Sequence, residues 1–390
     1  MVEWKKLGEI GDVCMCKRIM KHQTFDKGDV PFYKIGTFGG TADSFISKDL
    51  FYEYKSKFSF PQKGYILLSA SGTIGRTVVY NGEDAYFQDS NIVWISNDES
   101  QVTNAFLYYC YQIVDWKIDG GTIKRLYNYN LKNTIIPVPS LSEQKRIVGI
   151  LDTFTDSIEN LKQQIDQRRK QYEHYRDQLL DLEGKEGVEM TKLDTLCNLI
   201  TKQTGFDYSK TIKPSLTKEK NIHSIPFIQN KDFEGTRINL NTDFYIPLSI
   251  AQKFPKILLN DKILLVSISG RIGNVGLYDI KDISFVGGAV CVCRLNPTVN
   301  GRYILYFLLS NKGQNRLFQS VKAASHSNIT VEDIRKISIP FPPLSEQQRI
   351  VSILDTFEAS ISNLEAQLEQ RQKQYEYYRN KLLTFEKEEQ

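Results

Sequence analysis

Two segments of the chain carry apolar side chains at alternating steps of four and three residues. The first series is Ile147, Leu151, Phe154, Ile158, Leu161, Ile165, Arg168, Tyr172, Tyr175 and Leu179, and the second is Ile350, Leu354, Phe357, Ile361, Leu364, Leu368, Arg371, Tyr375, Tyr378 and Leu382. In each series nine of the ten positions are apolar or aromatic. A sustained period of 3.5 residues is typical of a coiled coil. Two readings stay open for the arginine in each seam: its stem packs while its head reaches solvent, or it forms an ion pair that specifies register or partner.

These two helices belong to an internal repeat. Residues 137–180 and 340–383 are identical at 29 of 44 positions, with a constant offset of 203. Ser142 and Ser345, each followed by Glu, are expected to cap the helix starts. About 40 helical residues reach about 60 Å at 1.5 Å per residue. Because a folded domain joins the helices, we predict an antiparallel pair with a diverged domain at each end.

The segment before each helix alternates short apolar runs with turns of Gly, Asn, Asp and Ser, a pattern that predicts strands. The predicted strands cover 30–35, 64–68, 78–80 and 91–95 in the first half, and 225–228, 263–267, 275–278 and 290–295 in the second. A helix follows in each half, at about 103–113 and 302–311. The two segments repeat faintly: ILLSASGTIG (66–75) matches LLVSISGRIG (264–273), and FLYY (106–109) matches ILYF (304–307). The offsets grow along the chain, so the second half carries longer loops.

The predicted fold class is α+β: two globular α+β domains separated by a long antiparallel two-helix coiled coil, arranged as a pseudo-twofold tandem duplication. We predict a first domain at 1–139, the first repeated helix at 140–183 and a linker at 184–190. The second domain then spans 191–342, and the second repeated helix spans 343–386. Two near-identical helices indicate one task performed twice, whereas two diverged domains indicate two different targets.

Composition narrows the class of protein without naming its partner. The 390 residues are 41% hydrophobic and 25% charged, with a formal net charge of +4. That balance permits nucleic-acid binding but does not require it. The beginning of the chain lacks the apolar segment of a signal peptide, and the longest apolar run, 303–309, is far shorter than a membrane span. The six cysteines lack zinc-site spacing, so we expect reduced thiols, no metal site and a cytoplasmic protein.

Basic and amide side chains interleave with aromatic residues in several loops. Arg, Lys, Asn and Gln are the residues that bind phosphates and read base edges. The candidate DNA contacts are Lys17, Arg18, Lys21, Arg76, Lys124, Arg125, Asn128, Lys202, Gln203, Arg271, Lys322, His326 and Asn328. The turns SGTIG (71–75) and SGRIG (269–273) are read either as structural hairpin turns or as phosphate contacts. They lack the ending of a nucleotide-binding P-loop.

Motifs of catalysis are not found in the sequence. It contains neither the [DNS]-P-P-[YF] tetrapeptide nor the F-x-G-x-G loop of methyltransferases, and no nuclease core or P-loop. The four histidines, at 22, 174, 223 and 326, are scattered and suggest no nucleophile–base pair. The sequence therefore favours recognition over catalysis, and we predict a protein that is not itself an enzyme.

The twice-repeated motif resembles that of one protein family. IPVPSLSEQKRIVGILD (136–152) and IPFPPLSEQQRIVSILD (339–355), each after a variable domain, are similar to the motif of the specificity (S) subunits of type I restriction-modification systems, the HsdS family. The resemblance covers the whole chain. It implies that each variable domain is a target recognition domain for one half of a bipartite, asymmetric double-stranded DNA target. It also implies that the paired helices set the spacing between the half-sites, about one DNA turn or a small multiple.

The resemblance implies partners as well. Two methyltransferase (M) subunits would dock on the helices, and two restriction/translocase (R) subunits would join the full complex. S-adenosylmethionine, ATP and Mg would bind those partners, so this chain is expected to hold no cofactor. Two alternatives remain: a coiled-coil adaptor that does not bind DNA, and an enzyme in its own right, which would need a cofactor motif.

Overall fold

A computed structural model of the protein describes residues 2–118, 124–319 and 328–385. Within these ranges the chain divides into two compact units. The first unit combines residues 1–162 with 366–390, and the second comprises residues 163–365. Each unit therefore contains one diverged domain together with a part of each long helix.

The first unit is built from short strands and a few helices. Its strands are β1 (Glu3–Lys6), β2 (Gly11–Met15), β3 (Val30–Tyr33), β4 (Phe45–Ile46), β5 (Ile66–Ser69), β6 (Thr77–Val79), β7 (Tyr86–Phe87), β8 (Ile92–Asn97) and β9 (Ile135–Val138). Its domain helices are α1 (Leu7–Ile10), α2 (Lys48–Lys57), α3 (Asn104–Tyr111) and α4 (Asn128–Asn133), and the long helix α5 (Leu141–Leu179) begins here.

A four-stranded antiparallel sheet, in the order β2-β8-β5-β6, forms the centre of this unit. Alternate residues of its strands point to opposite faces, and both faces are covered. Leu68 and Val93 join a core with α3 and the start of α5, whereas Leu67 and Trp94 join a second core. A three-stranded sheet, β4-β3-β7, and α2 supply the far side of that second core. Burial on both faces explains why β5 and β8 read as nearly continuous apolar runs.

The second unit repeats this design with longer connections. Its strands are β10 (Glu189–Lys192), β11 (Cys197–Lys202), β12 (Ser224–Ile228), β13 (Phe233–Glu234), β14 (Arg237–Ile238), β15 (Tyr245–Pro247), β16 (Leu258–Leu259), β17 (Ile263–Ser267), β18 (Val275–Tyr278), β19 (Ser284–Val286), β20 (Val290–Leu295) and β21 (Ser338–Phe341). Its helices are α6 (Gly205–Asp207), α7 (Leu248–Ala251), α8 (Gly301–Leu309), α9 (Asn311–Gln319), α10 (Val331–Lys336) and the long helix α11 (Leu344–Leu383).

The central sheet of the second unit has the same order as that of the first. Strands β11-β20-β17-β18 correspond to β2-β8-β5-β6. Leu264 and Val266 face a core that includes α8 and the start of α11, and Ile263 and Leu265 face the opposite core. In both units the first and last strands of the domain also pair, β1 with β9 and β10 with β21. The predicted α+β duplication is confirmed.

The two long helices pack antiparallel, as predicted from the folded domain that joins them. In the first unit Phe154 of α5 stacks on Tyr378 of α11, with ring centroids 5.3 Å apart. In the second unit Tyr175 of α5 stacks on Phe357 of α11 at 5.4 Å. From the first contact to the second, the residue number increases along α5 and decreases along α11, which is the order expected for antiparallel helices. Tyr175 and Tyr378 nevertheless remain 44% and 41% exposed.

The predicted seam residues are covered to different degrees. Ile147, Leu151, Ile165, Ile350 and Leu354 are buried. Phe154, Ile158, Leu161, Tyr172, Phe357, Ile361, Leu364, Leu368 and Tyr375 are half-buried. The seam arginines lie over aromatic rings of the facing helix: the guanidinium of Arg168 is 5.9 Å from the Phe357 centroid, and that of Arg371 is 5.7 Å from the Phe154 centroid. A cation–π contact places each arginine in the seam.

The expected helix caps are corrected by the structure. Ser142 and Ser345 lie inside the first turn, because α5 begins at Leu141 and α11 at Leu344. Ser140, one residue before α5, accepts a 3.3 Å hydrogen bond from the Glu143 N–H. The equivalent residue before α11 is Pro343, whose carbonyl oxygen accepts from the backbone of Glu346. Two adjacent candidates for a capping serine cannot be separated by sequence alone, since caps depend on local backbone angles.

A tyrosine tethers each domain to its repeated helix. The Tyr109 hydroxyl donates a 2.5 Å hydrogen bond to Asp152, and the Tyr306 hydroxyl donates a 2.6 Å bond to Asp355. The two aspartates are 203 residues apart and the two tyrosines are 197 apart. The expected match of FLYY with ILYF, at an offset of 198, is therefore wrong by one residue.

The six cysteines are free thiols, four of them buried and two, Cys14 and Cys197, half-buried. Burial raises the pKa of the Cys16 thiol to about 12 and also raises that of Cys110. Such thiols are protonated near neutral pH and pack as small apolar groups. In the described ranges, no helix combines the length and the apolar character needed to cross a membrane.

Candidate nucleic-acid interface

Three loops of the first unit meet at one end of its central sheet. Strands β2 and β5 both run antiparallel to β8, and Met15 pairs with Val93 while Ser69 pairs with Ile92. The segments that leave β2 and β5 therefore emerge beside the segment that enters β8. We call residues 16–21, 70–76 and 88–91 the first sheet end. A 2.9 Å hydrogen bond from the Leu126 N–H to the Ala70 carbonyl brings residues 124–128 to the same place.

The second unit forms the equivalent surface from different side chains. Lys202 pairs with Cys291, and Ser267 pairs with Val290. The second sheet end thus comprises residues 202–204, 268–274 and 287–289. The Ile329 N–H donates a 2.9 Å hydrogen bond to the Ile268 carbonyl, which carries residue 328 to this end.

The glycine-rich segment at each sheet end is a tight turn with its own internal bonding. The Ser69 hydroxyl donates to the Thr73 carbonyl at 2.5 Å and accepts from the Arg76 N–H at 2.9 Å. Ser267 repeats this with the Arg271 carbonyl and the Asn274 N–H at the same distances. Because the turn satisfies these groups itself, the geometry favours the reading as a structural turn.

Two aromatic rings require glycine in these turns. Gly75 and Gly273 have φ angles of +86° and +89°. A Cβ atom on Gly75 would lie 2.7 Å from Trp116 Nε1, and one on Gly273 would lie 2.6 Å from the ring of Phe318. Both the positive φ and the close ring exclude a side chain. The residue at the tip of the turn is exposed in both units, Thr73 in the first and Arg271 in the second.

Arg76 and Arg125 are tied to the loops of the first sheet end. Arg76 is exposed, and its Nη1 donates a 2.8 Å hydrogen bond to the Phe38 carbonyl. Arg125 Nη2 donates a 2.6 Å bond to the carbonyl of Ser90, which has a φ of +53°. The Arg125 guanidinium also lies 6.0 Å from the Tyr127 ring centroid. Both arginines therefore hold the loops in shape.

The remaining candidates of the first unit are exposed. Lys17 and Arg18 lie two and three residues after β2, and Lys21 begins a short 3₁₀ turn. The Lys17 ammonium lies 5.1 Å from the Phe58 ring centroid, and its backbone carbonyl accepts a hydrogen bond from the Tyr86 hydroxyl. Lys124 and Asn128 are exposed on either side of Arg125. The structure thus gathers all seven candidates of this unit near one sheet end.

The candidates of the second unit differ in accessibility. Lys202, Arg271 and Asn328 are exposed. Gln203 is only 3% exposed, and neither atom of its amide has a hydrogen-bond partner among the described residues. Gln203 takes the place that Cys16 fills in the first unit, one residue after the strand. Lys322 and His326 lie outside the described residues.

Sequence reasoning missed several polar groups of the sheet ends. The Ser71 hydroxyl donates a 2.9 Å hydrogen bond to Asn91, and the Asn230 amide donates to the Ser269 carbonyl beside the second turn. Thr73 was missed although it occupies the position of Arg271. Aligning the two turns position by position would have identified it.

The long helices present the same surface patch in both units. In the first unit the patch consists of Glu143, Arg146, Phe154, Arg371 and Tyr378. In the second it consists of Glu346, Arg349, Phe357, Arg168 and Tyr175, each the same residue type 203 positions away. Arg146 donates two hydrogen bonds to Glu143, and Arg349 donates two to Glu346, all of them 2.6–2.8 Å long. In the second unit the patch lines a cavity of about 700 Å³.

A charged network joins the second domain to α11. Arg302 donates to Asp355 at 2.7 Å and to Glu358 at 3.2 Å, and also to the Tyr306 hydroxyl at 2.7 Å. Glu358 additionally accepts from Thr236 and Tyr172. Burial raises the pKa of Tyr306, and the hydrogen bond to Asp355 raises it further. The first unit has Ala105 and Thr155 at the positions of Arg302 and Glu358.

Comparison with known proteins agrees with this architecture. The model of the type I restriction modification DNA specificity domain matches residues 1–168 and 185–372. A putative type I restriction enzyme specificity subunit of Haemophilus influenzae is 60% identical over 181 residues, which span 45% of this chain and 47% of that protein. The EcoR124I/EcoR124II specificity subunit of Escherichia coli is 31% identical over 75% of this chain and 74% of its own length.

Solved structures share the fold at low sequence identity. The S subunit of the type I restriction-modification system of M. genitalium superposes with a TM-score of 0.59 at 15% identity, covering 99% of this chain and 97% of that chain. A chain from a structural study of the assembly and conformational transition of the type I R-M system superposes with a TM-score of 0.60 at 16% identity, covering 98% and 96%. On the match of the family model to both halves, the chain belongs to the type I restriction modification DNA specificity domain family.

Proposed function

We propose that each recognition domain reads one half of a bipartite, asymmetric DNA target through its sheet end. The supporting observation is that one backbone frame is built twice and carries different side chains. Thr73 occupies the position of Arg271, and Arg125 that of Asn328. Arginine pairs with guanine and asparagine with adenine in the major groove, so such exchanges change base preference. A constant frame with variable tips is what two readers of different sequences require.

The exposed lysines of the sheet ends suit a second task. Lys17, Lys124 and Lys202 are exposed beside the turns. Phosphate contacts position a protein on the duplex without reading its sequence, and they make affinity depend on salt. We assign these lysines to the DNA backbone and the residues at the turn tips to the bases.

The chain acts as a non-catalytic specificity subunit within a larger complex. The paired helices fix the span between the half-sites, and two methyltransferase subunits dock on them. Two restriction/translocase subunits join the full assembly. S-adenosylmethionine, ATP and Mg bind to those partners. The adaptor that binds only proteins is not supported, because the DNA specificity domain model matches both halves of the chain.

The repeated patch on the helices supports docking of two copies of one partner. Its ten side chains are five positions that keep the same residue in both copies, although the surrounding domains have diverged. Tyr175 and Tyr378 are large aromatic residues that stay more than 40% exposed on a stable scaffold. Rigid aromatic and arginine side chains dominate protein interfaces. We therefore place one methyltransferase subunit on each patch.

The test is a map of modified adenines in cells that express the chain with its methyltransferase subunit. We expect a motif of two unlike half-sites around a fixed gap. Arg271→Ala should relax or weaken one half-site, and Lys124→Ala should weaken binding at the other end without changing its bases. Lys336→Ala and Lys132→Ala are matched controls, since both remove exposed lysines away from the sheet ends.

Two results would count against the assignment. If Arg271→Ala changed both half-sites, or if it left the motif and its occupancy unchanged, the sheet end would not be the reading surface. If the controls altered methylation as much as the sheet-end variants, general loss of positive charge would explain the effect.

A further inference from the structure

The end of α5, defined as residues 177–183 and so including four residues after the last helical position, carries acidic residues that contact the second recognition domain. The Asp177 carboxylate accepts hydrogen bonds from the backbone and side-chain nitrogens of Asn311, at 3.0 and 2.6 Å. Asp181 accepts from Lys312 at 2.5 Å, and Glu183 accepts from Arg316 at 2.8 Å. All three partners lie on α9. The Lys312 ammonium holds the pKa of Asp181 below its usual value.

Within the described residues, the end of α11 contacts the first recognition domain without such charges; Glu386, at the position of Glu183, lies outside them. Asn380 and Thr384 stand where α5 has Asp177 and Asp181. The Tyr375 hydroxyl donates a 2.7 Å hydrogen bond to Gln112, a neutral contact. Thr384 lines a cavity of about 530 Å³ together with Asp115 and Lys117, whose charges cancel. Among the described residues of this unit, no ion pair joins the helix end to the domain.

We propose that these charges form a pairing code that makes the two halves of the chain associate with each other rather than each with a copy of itself. The helices are too similar to discriminate by their seams, because 29 of 44 positions are identical. If the first half paired with a second first half, Asp177 and Asp181 would take the places of Asn380 and Thr384. Asp181 would then lie in the cavity lined by Asp115 and Lys117, whose opposite charges offset each other, and the two aspartates would lose Lys312 and Asn311 of α9.

The opposite mismatch is also unfavourable. If the second half paired with itself, Lys312 and Asn311 would meet Thr384 and Asn380 and would lose their carboxylate partners. Both mismatches lose the charged hydrogen bonds to α9. Only the first mismatch offers a cation in return, Lys117, and it lies in the same cavity as the like charge of Asp115. Specificity is a difference between affinities. Several weak exposed pairs at the helix ends therefore suffice to favour association of unlike halves over association of like halves.

The pairing of the two halves does not depend on the proposed function. Only its effect on the DNA target rests on that function. Association of unlike halves places two different recognition domains on one pair of helices, and so produces an asymmetric target. Association of like halves would produce a symmetric one. The pairing itself can be measured without DNA and without a methyltransferase, so its failure is distinguishable from failure of the proposed function.

The first test is a charge exchange in the full-length chain. Asp181→Lys places like charges opposite Lys312, and the double variant Asp181→Lys with Lys312→Glu restores an ion pair of reversed sign. Amide hydrogen exchange of α9 reports opening of the contact. We expect Asp181→Lys to speed this exchange roughly tenfold and the double variant to return it to within about threefold of the original.

A second test measures the choice of partner. Two copies of the full chain with different affinity tags are co-expressed, and the fraction recovered with both tags is compared by light scattering and pull-down. Asp177→Asn with Asp181→Thr copies the residues of α11 into α5, so the helix keeps residues that this fold already accepts. We expect this graft to increase mixed complexes several-fold, with Asp166→Lys as a control on the exposed face of the same helix.

The inference would be overturned if α9 exchange and the mixed fraction were unchanged in both variants. It would also be overturned if Asp181→Lys opened the contact and Lys312→Glu failed to close it. In that case the substitution would have destabilised the helix without involving the charge of its partner.

Discussion

The hydroxyl of Tyr109 donates a 2.5 Å hydrogen bond to Asp152, which joins helix α3 of the first recognition domain to the repeated helix α5. The second unit makes the same bond between Tyr306 and Asp355. Burial raises the pKa of Tyr109, and Asp152 raises it further, so the phenol remains a donor at physiological pH. Each domain is thereby held at a defined orientation on its helix.

Removing this hydrogen bond should weaken the contact between α3 and α5 without unfolding the protein. Tyr109→Phe keeps the buried ring and deletes the donor, so we expect a loss of about 1 kcal/mol in the free energy of unfolding. Chemical denaturation measures it. Tyr129→Phe is the control, because Tyr129 is 75% exposed. Equal effects of the two variants would show that the tether contributes nothing specific.

Breaking the Arg302 network should lower the free energy of unfolding more than removing the Tyr109 hydrogen bond does. Arg302→Ala leaves Glu358 with two neutral donors, Thr236 and Tyr172, and we expect a loss of about 1–3 kcal/mol, because the network is partly screened by solvent. Adding Glu358→Thr reproduces the pair Ala105 and Thr155 of the first unit and should recover part of the loss. A double variant less stable than Arg302→Ala alone would contradict a coupled network. Denaturation midpoints of the three chains decide the outcome.

The turn at each sheet end should not tolerate alanine. Gly75→Ala places a methyl group 2.7 Å from Trp116 Nε1 at a φ of +86°, and we expect a loss of about 1–3 kcal/mol and a displaced turn. Gly64→Ala is the matched control, because Gly64 has a φ of +91° and a Cβ there meets open space. Thermal unfolding and the fluorescence of Trp116 measure both effects. If the two variants behaved alike, the ring contact would not be what requires glycine.

The repeated patch should bind its two partners independently. Tyr378→Ala should remove one methyltransferase subunit from the complex, Tyr175→Ala should remove the other, and the double variant should remove both. Native mass spectrometry of the reconstituted complex counts the copies. His174→Ala and Tyr377→Ala are controls, because these neighbours are exposed but differ between the repeats. Retention of both subunits in the double variant would show that the docking site lies elsewhere.

The sequence by itself determined the duplication, the two long helices and the α+β class of the domains. These features follow from periodicities and repeats that extend over neighbouring residues: the steps of Ile147, Leu151 and Phe154, or the near-continuous apolar run at 263–267. Their physical origin is local, because helix and strand geometry fix which neighbours share a face. The family resemblance could be recognised for the same reason, since its motif is one contiguous stretch.

Only the tertiary structure decided which distant residues meet. The register of β2 and β5 against β8 places Lys17 beside the turn at Gly75, and nothing in the spacing of those residues predicts it. The one-residue shift between Tyr109 and Tyr306 and the burial of Gln203 also depend on how helices and loops pack. The hydrogen bonds and ion pairs of α9 with the end of α5 join residues more than 130 positions apart. Such contacts depend on strand pairing and packing across the whole domain, which local patterns do not encode.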